Sequence, residues 1–440
     1  MKVTFIMPSI GRKDTGKYLK TWQMEPLVIA LLLSLTPANV QKVFFDDRIE
    51  DINYDDPTDL VAISVETFTA KRAYQISAEY RKRGIKVVMG GFHPTLMPHD
   101  AKLHADAVVI GEAEGVWQEV LNDAAEAKLK EFYQKTEWAS LDGLQPDRSI
   151  YNNKRYLKLA LVESGRGCKF NCNFCSISAF FRQTYRPRPI SGVVKEIQSI
   201  RNKTIFFIDD NIAADINRAK ELFHALIPLG IRWISQISIQ ALKNAEALDL
   251  MAQSGCIGVL VGFESLSRNS LQQMNKAWNG GRSDYLTVLA SMRQKGVAAY
   301  PTFVFGYDQD TAQSFQDTLD FAIKERFFFI AFNHLVPFPG TALYDSLRNE
   351  GRLLHEQWWL HDGYAFCDVA FKPKNFTPQQ LSSLCFDFRK EFYSYPAIFE
   401  RGRNIRGNCN GLFKAMAFYS LNILAKKEVE QRQGLFLGKQ

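Results

Sequence analysis

Short apolar runs alternate with helical patterns along two long stretches of this chain, and that alternation is its tightest constraint. In residues 1–123 the runs are 2-KVTFIM-7, 42-KVFFD-46, 60-LVAISV-65, 85-IKVVMG-90 and 106-DAVVIG-111. Helical patterns fall at 24–36, 70–83 and 112–123. Strands that alternate with helices build parallel sheets, because a parallel connection must cross the sheet. The expected fold is therefore α/β, opening with a doubly wound parallel sheet. Ligands of such sheets bind at the carboxyl ends of the strands. Those ends carry Asp46-Asp47-Arg48, Ser64, Thr67, 90-GGFHPT-95 and 111-GEAE-114.

A second series runs over 158–344, with strand candidates 158-KLALVES-164, 204-TIFFID-209, 231-IRWISQISI-239, 257-IGVLVGF-263, 299-AYPTFVFG-306 and 328-FFIAFNHLV-336. Six strand–helix units fit a partial barrel of the (β/α) TIM type, whose chemistry sits at the strands' carboxyl ends. Residues 124–157 are charged, then loop-like, and read as a linker. Residues 345–440 are aromatic-rich and read as a mainly helical C-terminal domain. A chain of 440 residues exceeds one ordinary core, in keeping with several domains.

Composition excludes some classes. The net charge is +7, and no run of five or six like charges appears. A nucleic-acid partner is not expected, since such proteins concentrate their basic residues. The longest apolar run, 27-LVIALLLSL-35, is too short to span a bilayer and follows a strand, so neither a transmembrane segment nor a signal peptide is expected. Seven cysteines, an odd number, then imply a reducing compartment, the cytoplasm. Cys256, Cys367, Cys385 and Cys409 stand alone and read as small buried hydrophobes.

The other three, Cys168, Cys172 and Cys175, crowd into 165-GRGCKFNCNFCSIS-178, directly after the first strand of the second series. Three thiolates do not close a tetrahedral zinc site, and His224, the next histidine, lies in a helical pattern. An iron–sulfur cubane fits better: three sulfurs take three irons, and the fourth iron stays open to a small molecule. Gly165, Gly167 and Asn171 supply the turn-forming residues of such a loop.

C-x3-C-x2-C at this position resembles the radical S-adenosylmethionine (SAM) superfamily. The resemblance implies a [4Fe–4S] cluster on Cys168, Cys172 and Cys175, with SAM chelating the fourth iron through its amino and carboxylate groups. Reduction would cleave SAM to a 5'-deoxyadenosyl radical that takes hydrogen from an unactivated carbon. The resemblance also places Phe174 near the adenine, and Asp209 and Asp210 of 206-FFIDDN-211 near the SAM amino group. Helix capping by Asp210 or Asn211 is an equal reading of those residues. Gln236 and Ser238 are matched to the methionine carboxylate or ribose, Glu264 to the ribose hydroxyls, and Gly306 to the adenine.

A doubly wound domain ahead of such a barrel resembles the cobalamin-binding subgroup, as does 333-NHLVPFPGTALY-344. The first domain would then be Rossmann- or flavodoxin-like and bind cobalamin through Ser64, Thr67, Gly90, Gly91, His93, Gly111 and Glu112. The wider cobalamin pattern D-x-H-x-x-G, which gives cobalt a histidine, is replaced by 46-DDRIED-51, leaving Asp47 or Arg48 to approach through water. A domain that kept the fold and lost the cofactor is the alternative. Trp22, Gln23, Met24 and Glu25 either line the active site or staple a helix starting at Pro26. The segment from 356-EQWWLHDG-363 to 392-FYSYPAIFERGRNIRG-407 resembles the tail of lipid- and tetrapyrrole-modifying members such as hopanoid methylases. Its aromatics either line an apolar pocket or pack the barrel's open side.

The function expected is cobalamin-dependent radical methylation of an unactivated carbon. Radical cyclisation, rearrangement or oxidation uses the same parts, and a cluster-carrying electron-transfer protein is the rival from another class. The expected partners are a small apolar or acidic substrate and an electron donor such as a flavodoxin or ferredoxin. No catalytic acid or base is assigned.

Overall fold

The computed structural model describes residues 1–12, 23–405 and 407–438. Its first sheet holds β1 (Lys2–Met7), β2 (Gln41–Asp46), β3 (Leu60–Ser64), β4 (Lys86–Gly90), β5 (Ala107–Ile110) and β6 (Phe132–Gln134), in the order β2-β1-β3-β4-β5-β6. All five pairings are parallel. The five expected strands all form. The sixth lies in the segment read as linker: three residues between charged neighbours are too few to show a period of two. Helices Leu27–Leu35, Ala70–Lys82 and Trp117–Ala125 cover the sheet. Val3, Phe5, Ile6, Val61 and Ile63 are buried whichever face they point to, as parallel strands sandwiched by helices require. The strand order reverses between β1 and β3, so a crevice opens at their carboxyl ends.

The second sheet starts with β7 (Ala160–Val162). A short antiparallel ribbon, β8 (Gly165–Gly167) with β9 (Tyr185–Pro187), brackets the cysteine segment. Then come β10 (Thr204–Phe207), β11 (Arg232–Ile237), β12 (Cys256–Glu264), β13 (Ala298–Phe305) and β14 (Ala331–His334). With β7 these form a parallel sheet in plain sequence order, β14-β13-β12-β11-β10-β7, with β7 and β14 at opposite edges, which is the expected partial barrel. Its core is aromatic: Trp233 stacks on Phe223, and Phe305 on Phe315.

The C-terminal segment divides its aromatics between the two sheets. Trp358 and Trp359 are fully buried in the core of the first sheet, with Ile6, Val61 and Tyr364. Phe371, Leu381 and Phe392 join the barrel core. Arg401 is fully buried, donates to the carbonyls of Phe327 and Phe392, and lies 3.7 Å over the Phe392 ring. The tail therefore packs, as one of its two readings held, but against both sheets. Cys256, Cys367 and Cys385 are buried, whereas Cys409 is only partly so. Among the described residues no helix is long and apolar enough to cross a membrane.

Trp358 also donates its indole N–H to the Pro337 carbonyl at 3.0 Å. Trp358→Ala is expected to lower unfolding free energy by about 3–5 kcal/mol, the cost of emptying a large aromatic site. Urea denaturation measures this, and a loss below about 1 kcal/mol would show that the tail does not cement the first sheet.

Candidate active site between the two sheets

The cysteine segment is a loop held from several sides. Gly167 has φ +85°, and a Cβ there would collide with the Thr184 carbonyl oxygen, so only glycine fits. Its N–H donates to Asp210 at 2.9 Å. Asn173 donates to the Gln273 carbonyl at 2.7 Å and accepts from the Tyr307 hydroxyl at 2.8 Å. Asn275 donates to the Asn171 carbonyl at 2.6 Å. Cys168, Cys172 and Cys175 are unpaired and partly buried. Burial pushes the Cys172 thiol up to about 12 against the pull of the Lys276 charge, with Cys175, Glu264 and Cys168 adding to the rise. Metal coordination removes such a proton outright. Among the described residues no three or more His, Cys, Asp or Glu are placed to hold one ion. Three thiols in one loop, each free for a separate iron, fit a cubane with an open fourth corner.

The carboxyl ends of the barrel strands surround this loop. Asp209 is buried and engaged: it accepts the Ser164 N–H at 2.9 Å and the Ser164 hydroxyl at 2.5 Å. Burial pushes Asp209 up to about 7 and Asp210 to about 6, against the bonds from Ser164 and Gly167. Both carboxyls thus clamp the chain leading into the cysteine loop, and neither caps a helix. Asn211 bridges Cys168, 4.0 Å from its amide, to the Ser238 N–H at 3.2 Å. Gln236 accepts the Ile212 N–H at 3.0 Å through its carbonyl. Glu264, at φ +62°, takes the Lys276 ammonium at 2.6 Å. Burial opposes the Lys276 charge, but Glu264 and Cys172 outweigh it and raise its pKa. Lys276 went unnoticed in the sequence, where a lone lysine between helical patterns carries no signal. Gly306, at φ +116°, lies against Leu381 and Phe371 of the tail. Phe174 opens onto a separate cavity of about 280 Å³.

A larger cavity of about 570 Å³ lies between the sheets, at the crevice marked by β1 and β3. Arg48, Ser64, Gly90, Gly91, Gly111 and Glu112 line it, as do Gln23, Met24 and Glu25. Trp22 lies outside the described residues. Gly91 has φ +110°, and a Cβ there would lie 2.8 Å from the Val65 carbonyl oxygen. Three expected residues do not line the cavity. Asp47 is locked to Arg72 at 2.8 Å and 2.9 Å and to the Ser9 hydroxyl at 2.6 Å. His93 is fully buried and faces away, its Nε2 3.0 Å from the Tyr74 hydroxyl and 3.1 Å from Asp100. Asp100 in turn takes the Trp359 indole N–H at 3.2 Å, so this network ties the first domain to the tail. Thr67 is buried in a short 3-10 turn after β3. Arg48 reaches the wall but spends its fork on Asp46, at 2.8 Å and 2.6 Å, and on the Met24 carbonyl at 3.0 Å.

The barrel supplies the opposite wall through Leu161, Glu163, Arg166, Phe180 and Phe181. Arg166, two residues before Cys168, pairs with Glu163 at 2.8 Å, Glu112 at 2.8 Å and Glu114 at 2.6 Å. Arg186 adds a second cation on Glu112. Glu112 and Glu114 belong to the glycine loop after β5, so the large cavity and the cysteine loop share one wall.

Comparison with known proteins agrees with this geometry. The B12 binding domain profile matches residues 31–121 and the Radical SAM superfamily profile matches 162–322. Bacteriochlorophyllide d C-12(1)-methyltransferase of Chlorobaculum tepidum is 31% identical over 86% of this chain and 84% of its own. The chain belongs to the cobalamin-binding radical SAM enzymes. The C-8(2)-methyltransferase of the same organism is 28% identical over 85% of this chain and 87% of its own. In fold, the chain is similar to the radical SAM methyltransferase TsrM of Kitasatospora setae, with a TM-score of 0.63 at 16% identity, covering 79% of this chain and 75% of that one. It is also similar to the cobalamin-dependent radical enzyme OxsB, with a TM-score of 0.66 at 12% identity, covering 98% and 72%. The cofactors of this radical SAM enzyme are a [4Fe–4S] cluster, SAM and cobalamin.

Two outcomes follow from the charges. Arg166→Gln leaves the largely buried Glu114 and Glu163 without their cation, Glu112 keeping Arg186, and is expected to cost about 3–5 kcal/mol of unfolding free energy. Chemical denaturation with cobalamin retention read on the same samples checks this, and an unchanged midpoint would refute the clamp. Asp209 has a folded pKa above its ordinary value, so its contribution is full below pH ~4 and lost as pH rises to about 7. The stability difference between wild type and Asp209→Asn should therefore fall across that window. A pH-independent difference would mean that Asp209 stays ionised throughout.

Proposed function

We propose that this radical SAM enzyme transfers a methyl group to an unactivated carbon of a tetrapyrrole. The observation that carries the reading is the shared wall: Arg166 joins the glycine loop of the large cavity to the cysteine loop. Two reagents held on either side of that wall meet one substrate between them. When bound, the cluster with SAM supplies a radical and cobalamin supplies the methyl group.

The chain's own residues bind, orient and exclude water. Cys168, Cys172 and Cys175 would hold the cluster, with Asn211 steadying Cys168. The Lys276–Glu264 pair, electrostatically coupled to Cys172, sets a fixed dipole beside the cysteines suited to a zwitterionic amino acid moiety. Gly90, Gly91 and Gly111 give a cobalamin tail room against the backbone, and Leu31, Phe180 and Phe181 keep that side dry. Arg48, its fork occupied by Asp46, would reach cobalt through water at most. The two bacteriochlorophyllide methyltransferases support the substrate class. Seven unpaired cysteines suit the cytoplasm, with a flavodoxin or ferredoxin as electron donor. The cobalamin part is best drawn through β6, beyond residue 123.

The test is anaerobic reconstitution with bacteriochlorophyllide d, SAM and a reductant, measuring methylated pigment and 5'-deoxyadenosine. Wild type is expected to form both and Cys172→Ala neither. Deoxyadenosine without methylated pigment, with cobalamin retained, would favour cyclisation or oxidation. No deoxyadenosine from an intact cluster would favour electron transfer.

A further inference from the structure

Among the described residues only six large apolar side chains are more than half exposed. Leu103 is one. The other five, Tyr395, Phe399, Ile405, Leu412 and Met416, all fall between residues 395 and 416 of the tail. Single exposed apolar residues are ordinary, whereas a cluster marks a surface that something covers. These residues share one surface. Tyr395 and Phe399 belong to the helix Tyr395–Gly402. On the helix Leu412–Arg432, Leu412, Met416, Ser420 and Leu424 recur every four residues as an exposed stripe. The Phe399 ring lies 5.8 Å from the Tyr419 ring, and the Lys426 ammonium lies 5.9 Å over the Tyr395 ring, so the two helices run their exposed residues side by side. The stripe is not a core face left undocked. The opposite side of the longer helix is already seated: Phe418 is fully buried, edge-on to Phe328 at 5.2 Å, and buried Asn422 accepts from Arg401 at 3.0 Å. A helix that is apolar on its outer side as well calls for a second apolar environment.

We propose that this face of the tail docks the enzyme on an anionic lipid bilayer, lying in its surface without crossing it. Charge selects that partner. Residues 395–427 hold Arg401, Arg403, Arg406, Lys414, Lys426 and Lys427 against one acid, Glu400, so six less one leaves five of the chain's net charge of +7 in this segment. Arg401 is spent inside the fold, but Arg403 and Lys427 are exposed. Just beyond, Glu428 and Glu430 pair with Arg432 and Lys426. A second copy of the chain would set these cations against themselves. A bilayer answers both features at once: anionic headgroups take the lysines and arginines, and the acyl boundary takes the aromatic and aliphatic side chains between them. Tyr395 suits such a boundary, with an apolar ring and a hydroxyl that stays wet. The inference does not rest on the tetrapyrrole reading. It states where the enzyme meets any substrate apolar enough to partition into lipid.

The experiment floats the cobalamin- and cluster-loaded full chain, anaerobically, with vesicles of phosphatidylcholine alone and of phosphatidylcholine mixed with phosphatidylglycerol. Wild type is expected to float with the anionic vesicles at least about 5-fold more than with the neutral ones, and to be released by high salt. Phe399→Ser combined with Leu412→Ser should cut binding about 10-fold, because buried apolar area sets the affinity. Deoxyadenosine formation without vesicles should stay unchanged in that variant, which shows that it folds and loads. Leu103→Ser, which removes an exposed leucine elsewhere, should float as wild type does. Wild type that floats with neither vesicle, or equally with both, would overturn the anionic bilayer as partner. A double variant that floats as well as wild type would overturn this surface. A vesicle-free dimer in light scattering that the double variant abolishes would assign the face to a second copy and overturn the proposal.

Discussion

Arg166 is a buried cation among three carboxylates, Glu112, Glu114 and Glu163, and the architecture turns on that contact. Taking such charges out of water is costly unless every one is paired in good geometry. Here the partners come from different domains, so good geometry exists only when the sheets dock in one arrangement. The contact therefore acts as a register pin. It sets the loop after β5 against the loop after β7, the two places where the sheets present their carboxyl ends. The group also carries an excess of negative charge, only partly answered by Arg186. Burial raises the Glu163 pKa in spite of Arg166, as expected where carboxylates crowd.

Much of the frame was legible in the sequence because strands buried on both faces are apolar throughout. Runs such as 60-LVAISV-65 and 257-IGVLVGF-263 became β3 and most of β12. The cysteine spacing and glycine loops were legible too, since spacing and conformational freedom are local properties. What the sequence hid was the neighbour of each polar residue. Asp47 reads as a strand-end ligand until Arg72 is seen against it, and His93 reads likewise until Asp100 and Trp359 close around it. Asp209 had the same ambiguity, resolved by Ser164. Arg166 had no pattern because two of its three partners, Glu112 and Glu114, lie more than fifty residues away, and Lys276 because its partner Glu264 belongs to another element.

The tail illustrates a different limit. Its aromatic density signalled burial without saying against what. Trp358 and Trp359 serve the first sheet, Phe371 and Phe392 the second, and Phe366 faces a cavity between them. A segment that reaches every part of the fold has no periodicity of its own, since each residue answers to a different surface.

The raised thiols of the cysteine loop bear on how the enzyme is made. A newly folded, iron-free chain keeps Cys172 protonated at neutral pH, and a thiol is a poor nucleophile compared with its thiolate. In that iron-free chain Cys172 is thereby slow to react with oxidants and with disulfides. Loading iron must expel those protons, so cluster assembly is a proton-releasing step, favoured by alkaline conditions and driven by the strength of the iron–thiolate bonds. The same burial that will keep solvent from a radical thus first preserves the sulfur that has to hold the iron.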